Sequence, residues 1–257
     1  SKNVYEEAKK KKLNVINDFF TYELSLNLKE YLKKTDVIYA ANVICHIPNL
    51  NNLFKGIEAL LNKKGVFIFE EPYLGDVIRL TSYDQIYDEH VYLFSLLSVD
   101  KISKLFDLEL IDVYPQETHG GSMRYVIARK GEYSISDNFK RLMLKELDQG
   151  LDKIETYFNF KNNCESSKKR LIKILNSYAD QGKKVSGYAA TSKSTTILNY
   201  CKIGKELIDC IYDTTPLKIN KFSPGMHIPI KHHKDFILEK PDVSLLFGWN
   251  HKKEIFE

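Results

Sequence analysis

Two near-continuous apolar runs, DVIYAANVI at residues 36–44 and KGVFIFEEP at 64–72, flank a stretch, NLNNLFKGIEALLNKKG, that reads as a helix closing with Lys63, Lys64 and Gly65. Apolar runs without polar alternation mark strands covered on both faces, and parallel strands need a crossover helix between them. A βαβ unit follows, and it commits the chain to an α/β architecture.

The rest of the chain is arranged around that unit. Residues 1–12 and 21–34 read as helices, the second carrying Leu24, Leu28 and Leu32 at four-residue spacing, with a short strand ending near Asp18 between them. LELIDVYPQET and GSMRYVIARKG read as an antiparallel pair at a sheet edge, joined through His119, Gly120 and Gly121. From about Ser134 to Tyr178 the pattern is charged and helical, with apolar residues such as Leu142, Leu144, Leu147, Leu151, Ile154 and Phe158, the last five recurring at threes and fours. After Gly182 the α/β pattern returns: KVSGYAAT is a strand, SKSTTILNYC opens a helix, and LIDCIYDTT and DVSLLFG are further strands of a small Rossmann-like lobe.

Composition removes several classes of function. The 38 Lys and Arg against 34 Asp and Glu leave +4, and apart from Lys9 to Lys12 the basic residues are scattered, so no nucleic-acid-binding face is expected. Cys45, Cys164, Cys201 and Cys210 lie far apart with no CxxC pair, which fits a reducing compartment and leads us to expect no metal site. No apolar run reaches the roughly 18–20 residues that cross a bilayer, and the N-terminus lacks a leader's apolar segment. The expectation is a cytoplasmic protein without a membrane partner.

Five segments could carry chemistry. YDQIYDEHVYLFS, residues 83–95, packs Tyr83, Tyr87, Glu89 and His90 closely; an imidazole steadied by a neighbouring carboxylate is a general base, and the plain alternative is a polar surface loop. HGGSMR offers His119 and Arg124 around two glycines, or an ordinary hairpin turn. GYAATSKSTT places Lys193 at a strand-to-helix turn suited to phosphate, although it is neither GxxxxGK[ST] nor GxGxxG. DTTPLKINKFSPGMHIPI puts Asp213 at a strand end with Lys218 in the loop beyond, where open α/β sheets hold ligands; the alternative is a long connection. NVICHIPNL sets Asn42 and His46 just past a buried strand, or uses the histidine to cap the next helix.

Taken in order, NDFF (17–20), NVICHIPNL (42–50), EEPYLGDVIRLTSYDQIYDEHVYLFS (70–95), HGGSMR (119–124), GYAATSKSTTILNYC (187–201) and DTTPLKINKFSPGMHIPI (213–230) resemble the sugar C-methyltransferase family. The resemblance implies an S-adenosylmethionine-dependent enzyme that methylates a carbon of a nucleotide-linked keto-deoxysugar. It also implies an incomplete Rossmann-like methyltransferase domain over residues 1–133, a helical linker over 134–180, and a smaller nucleotide-sugar-binding α/β domain over 181–257. The family's zinc-binding N-terminal domain and its cofactor glycine loop are not represented, so the chain is expected to be a fragment of a longer protein. Two departures stand out: the family's IYHEH is IYDEH here, with Asp88 replacing a histidine, and GYGAPAKG is GYAATSKS, with Ala189 and Ser194 replacing glycines.

By that resemblance His90 is the base, with Glu89 or Tyr87 orienting it. Asp18 and Phe19 lie at the adenine and Asn42 and His46 near the cofactor's other end. Tyr83, His119, Arg124, Lys193, Asp213 and Lys218 face the substrate. A non-catalytic protein that holds a nucleotide sugar is the alternative, and a nicotinamide-dependent oxidoreductase is disfavoured by the absence of GxGxxG.

Overall fold

The computed structural model describes residues 2–32 and 35–257. The chain opens with helices α1 (Lys2–Lys10) and α2 (Tyr22–Leu32), and residues 1, 33 and 34 of the two expected helices lie outside the described residues. Strand β1 (Val37–Ala41), helix α3 (Leu50–Leu60) and strand β2 (Val66–Pro72) form the expected βαβ unit, with β1 and β2 parallel. Helix α3 starts where the Asn49 side chain accepts from the Asn52 amide, and buries Leu53, Phe54, Ile57 and Leu60 on one face. It stops short of Lys63 because Asn62 is drawn to the start of β1, donating to the Thr35 carbonyl and to Asp36 Oδ1.

Helices α4 (Leu74–Leu80) and α5 (Leu96–Lys104) lead into the antiparallel pair β3 (Leu108–Gln116) and β4 (Ser122–Arg129), and the first sheet runs β1-β2-β4-β3. Its core centres on Phe54, Phe67, Phe69 and Tyr125, all essentially inaccessible to solvent, each large side chain contributing about 1.5–3 kcal/mol on burial. The strand expected near Asp18 does not form. A strand needs a hydrogen-bonded neighbour, and among the described residues none pairs with the free edge of β1.

The charged stretch folds as helices α6 (Asp137–Asp148) and α7 (Ile154–Asp180), broken at Gly150, where φ is +70°. Phe139 and Leu142 of α6 join the first core, whereas Leu175 of α7 joins a second. That second core draws on β5 (Val185–Tyr188), α8 (Ser192–Cys201), β6 (Ile211–Asp213), β7 (Ile230–His232) and β8 (Val243–Leu246), and α9 (His233–Glu239) and α10 (Lys252–Phe256) complete the lobe. The four strands are parallel in the order β7-β6-β5-β8, so the α/β reading holds for both sheets, with β7 a strand not foreseen in the sequence. Among the described residues no helix is long and apolar enough to cross a membrane.

Candidate active site at the seam of two sheets

Successive strand residues point to opposite faces, so Glu70 and Glu71 at the carboxyl end of β2 serve different partners. Glu70 takes Arg124 from the neighbouring strand, Nε at 3.1 Å and Nη2 at 2.9 Å on one oxygen. Glu71 is fully buried and accepts from the amides of Val43 (2.9 Å) and Ile44 (2.6 Å), fixing the turn that follows β1. In that turn Asn42 adopts φ +52°, a conformation asparagine tolerates, and sends the chain on to Cys45 and His46.

The same turn holds the histidine-bearing loop. The Cys45 carbonyl accepts from the amides of Val91 (3.0 Å) and Tyr92 (3.3 Å), so His46 and His90 sit with ring centroids 5.2 Å apart. His46 Nδ1 lies 2.6 Å from the Glu89 carbonyl and His90 Nδ1 lies 2.8 Å from the Gln85 carbonyl. A carbonyl only accepts, so each Nδ1 carries the proton and each Nε2 keeps its lone pair. Tyr87 packs on His90 with centroids 3.9 Å apart. Burial lowers the His90 pKa below the usual imidazole value, favouring the neutral ring.

The expected orienters are thereby corrected. The Gln85 carbonyl, rather than the side chain of Glu89 or Tyr87, fixes the His90 tautomer; Glu89 is exposed and contributes its backbone carbonyl to His46. Arg124 is paired with Glu70 through Nη2, and its side chain stays 40% exposed. Tyr83 is buried against the second lobe, its hydroxyl 3.7 Å from Cys201 Sγ and its ring beside Tyr200.

The second lobe also supports this loop from behind. Gln85 donates through its side chain to the His119 carbonyl, which also accepts from Lys193 Nζ at 3.4 Å. Lys193, only 9% exposed, reaches Asn250 Oδ1 at 3.2 Å and lies over the Trp249 ring, and burial lowers its pKa. Trp249 Nε1 donates to Asp84 Oδ2 at 2.8 Å. His119, at φ +55°, presents its side chain to solvent at this seam, where Lys193 joins it rather than standing open for phosphate.

Asp213 and Lys218 lie apart from the histidines. Asp213 Oδ2 accepts from the Ala190 amide and Oδ1 from the Thr215 amide, each at 2.7 Å, and these bonds hold its pKa down against burial. Its carboxylate therefore shapes the loop after β5. Lys218 donates to the Ala190 carbonyl at 2.8 Å and lines a cavity of about 310 Å³ with Thr191, Ser192, Ser194 and Lys221, at the carboxyl ends of β5 and β6. A second cavity of about 450 Å³, lined by Tyr83, Arg170, Ile197, Leu246 and Trp249, excludes His90.

Asp18 and Phe19 precede α2, whose Tyr22 amide donates to Asn52 Oδ1 at 2.8 Å. That bond pins the segment at the amino end of α3, the end facing the carboxyl ends of β1 and β2. Phe19 is 85% exposed and Asn42 is open to solvent. Sequence reasoning passed over Glu71, Gln85 and Trp249; for Glu71 the signal was an acid ending a buried apolar run.

Residues 117–257, more than half of the chain, match the family model for the C-methyltransferase C-terminal domain, and residues 3–113 match that for a methyltransferase domain. The C-methyltransferase NovU of Streptomyces niveus is 28% identical over the whole chain, which spans 61% of that relative's length. Among solved structures, a SAM-dependent methyltransferase of Anabaena variabilis aligns with 46% of this chain and 58% of its own at 14% identity and a TM-score of 0.36. The PH0226 protein of Pyrococcus horikoshii aligns with 50% of this chain and 66% of its own, at 18% identity and a TM-score of 0.35.

Proposed function

We propose, from the premise that the chain belongs to the C-methyltransferase family, that it carries the base and substrate-gripping parts of an enzyme methylating a carbon of a nucleotide-linked keto-deoxysugar. The observation that carries this reading is the His90 ring, with Nδ1 donating to the Gln85 carbonyl and Nε2 left as an acceptor. A carbon beside a ketone is acidic because its anion spreads onto the carbonyl oxygen, so a neutral, oriented imidazole removes its proton. Burial pushes the Tyr87 hydroxyl up to about 12, so it stays protonated beside His90 and donates to the oxygen where charge develops.

S-adenosylmethionine, when bound, supplies a methyl group on a positively charged sulfur. The residues present fit part of it: Phe19 offers an exposed ring, Asp18 a carboxylate, and Asn42 a solvent-exposed side-chain amide, its backbone amide being taken by the Glu70 carbonyl. His46 stands at the other end of the same edge, beside His90. For the sugar nucleotide, the cavity holding Lys218 and Lys221 suits the phosphates, and the seam at His119 suits the sugar. The test is mass spectrometry of a nucleotide-linked keto-deoxysugar incubated with S-adenosylmethionine and the protein. Gain of one methyl group on a sugar carbon, lost in His90→Asn, supports the reading, and unchanged transfer by His90→Asn removes it.

A further inference from the structure

Sequence spacing gave no reason to expect a metal site, yet the fold brings one donor atom each from Cys45, His46 and His90 within 4.8 Å of one another. Zinc-class ions bind sulfur and imidazole at roughly 2.0–2.3 Å, so tetrahedral donors stand about 3.3–3.8 Å apart and these side chains need close by only about 1 Å. The two histidines are already arranged as ligands are: each Nδ1 is held by a backbone carbonyl, at 2.6 Å for His46 and 2.8 Å for His90, which fixes the ring and leaves Nε2 unprotonated.

A second feature points to the same ligand class. Glu71 Oε2 is buried with no nitrogen or oxygen donor, Oε1 serves the amides of Val43 and Ile44 at the turn into Cys45, and the Cys45 thiol lies against the carboxylate, whose charge and hydrogen bonding, after burial, push the thiol pKa up. A buried carboxylate against the thiol, with its charge felt at His90, is a source of negative potential that a cation relieves as the thiol proton leaves. Access is from a cavity of about 390 Å³ lined by His46, Asp88, Glu89 and Val91, whose two exposed carboxylates raise the local concentration of cations.

We propose that Cys45, His46 and His90 form a binding site for a thiophilic divalent cation of the zinc class, with Glu71 supplying balancing charge. As the sulfur–metal bond forms, the thiol proton leaves to solvent. The occupied site ties up the His90 ring, so methyl transfer and metal binding exclude one another. The binding itself does not rest on the catalytic reading, and the test reads binding alone.

The test titrates cobalt(II) into the purified chain, followed by displacement with zinc(II). The site predicts a thiolate-to-cobalt charge-transfer band that zinc abolishes. Cys45→Ser removes that band. Zinc affinity falls at least about 10-fold in Cys45→Ser and in His46→Gln, since loss of a direct ligand costs no less than loss of its supporting partner. His46 is partly exposed, so His46→Gln decides the matter if Cys45→Ser does not fold. Absence of the band in the wild-type protein overturns the proposal, as does a zinc affinity unchanged in His46→Gln.

Discussion

Trp249 Nε1 donates to Asp84 Oδ2 at 2.8 Å across 165 residues of sequence, joining the turn before α10 in the second lobe to the loop that carries His90. Asp84 is 6% exposed, and among the described residues its carboxylate has no other hydrogen-bond donor. Trp249→Phe keeps an aromatic ring and removes the donor, leaving a buried acceptor unmet at about 1–3 kcal/mol. Urea unfolding checks this; a variant as stable as the wild type would mean that the lobes are not held by this bond.

Gly120 has φ +87° and lies directly against the Trp249 ring, so a Cβ there meets the ring's edge. Gly120→Ala combines a left-handed backbone with overpacking and is expected to destabilise by at least about 2 kcal/mol. Thermal unfolding reads it, and the seam as drawn predicts a far smaller effect at Gly131, where nothing lies within 4 Å and only the positive φ of +77° is strained.

Ala189 stands at φ +71° at the mouth of the turn after β5, a conformation glycine takes without strain. Relief of the Cβ contact outweighs the entropy glycine adds to the unfolded chain. Ala189→Gly therefore stabilises the fold by about 0.5–1 kcal/mol. An unchanged or lowered midpoint in urea contradicts this.

Glu239 receives Lys231 Nζ at 2.6 and 2.8 Å, Lys184 Nζ at 3.0 Å and the Tyr212 hydroxyl at 2.9 Å. These donors, Lys231 foremost, lower its pKa from 4.5 to about 2. A carboxylate depressed on folding stabilises above its ordinary pKa and loses that contribution as pH falls through the folded value. Glu239→Gln is thus less stable than the wild type at neutral pH, and the gap narrows on acidification from about 4.5 towards about 2. A gap independent of pH over that range is the opposing result.

The βαβ unit and the paired edge strands were legible because apolar runs and alternation are local signals, and β1, β2, β3 and β4 fall where those runs predict. Strand β7 was hidden because only three residues pair, just after Pro229. The segment before Asp18 reads as a strand in isolation but lacks a neighbour to bond. At the site, the concentration of Tyr87, Glu89 and His90 was visible, but what orients His90 was not: a backbone carbonyl carries no side-chain signature. Tyr83 and Asp213 have the chemistry of substrate ligands, yet contacts distant in sequence turn them inward, to Cys201 and Ala190. The Cys45, His46 and His90 cluster was equally invisible, since two of its members come from one turn and the third from a loop more than forty residues on.

Hydrogen–deuterium exchange at the sugar carbon beside the ketone, followed by NMR in heavy water without cofactor, isolates proton removal from methyl transfer. With a nucleotide-linked keto-deoxysugar, the wild-type protein is expected to exchange that hydrogen, and His90→Asn to slow exchange by about 10²–10⁴-fold while still binding the sugar nucleotide. Exchange at the wild-type rate in His90→Asn would contradict the assignment of this imidazole as the base.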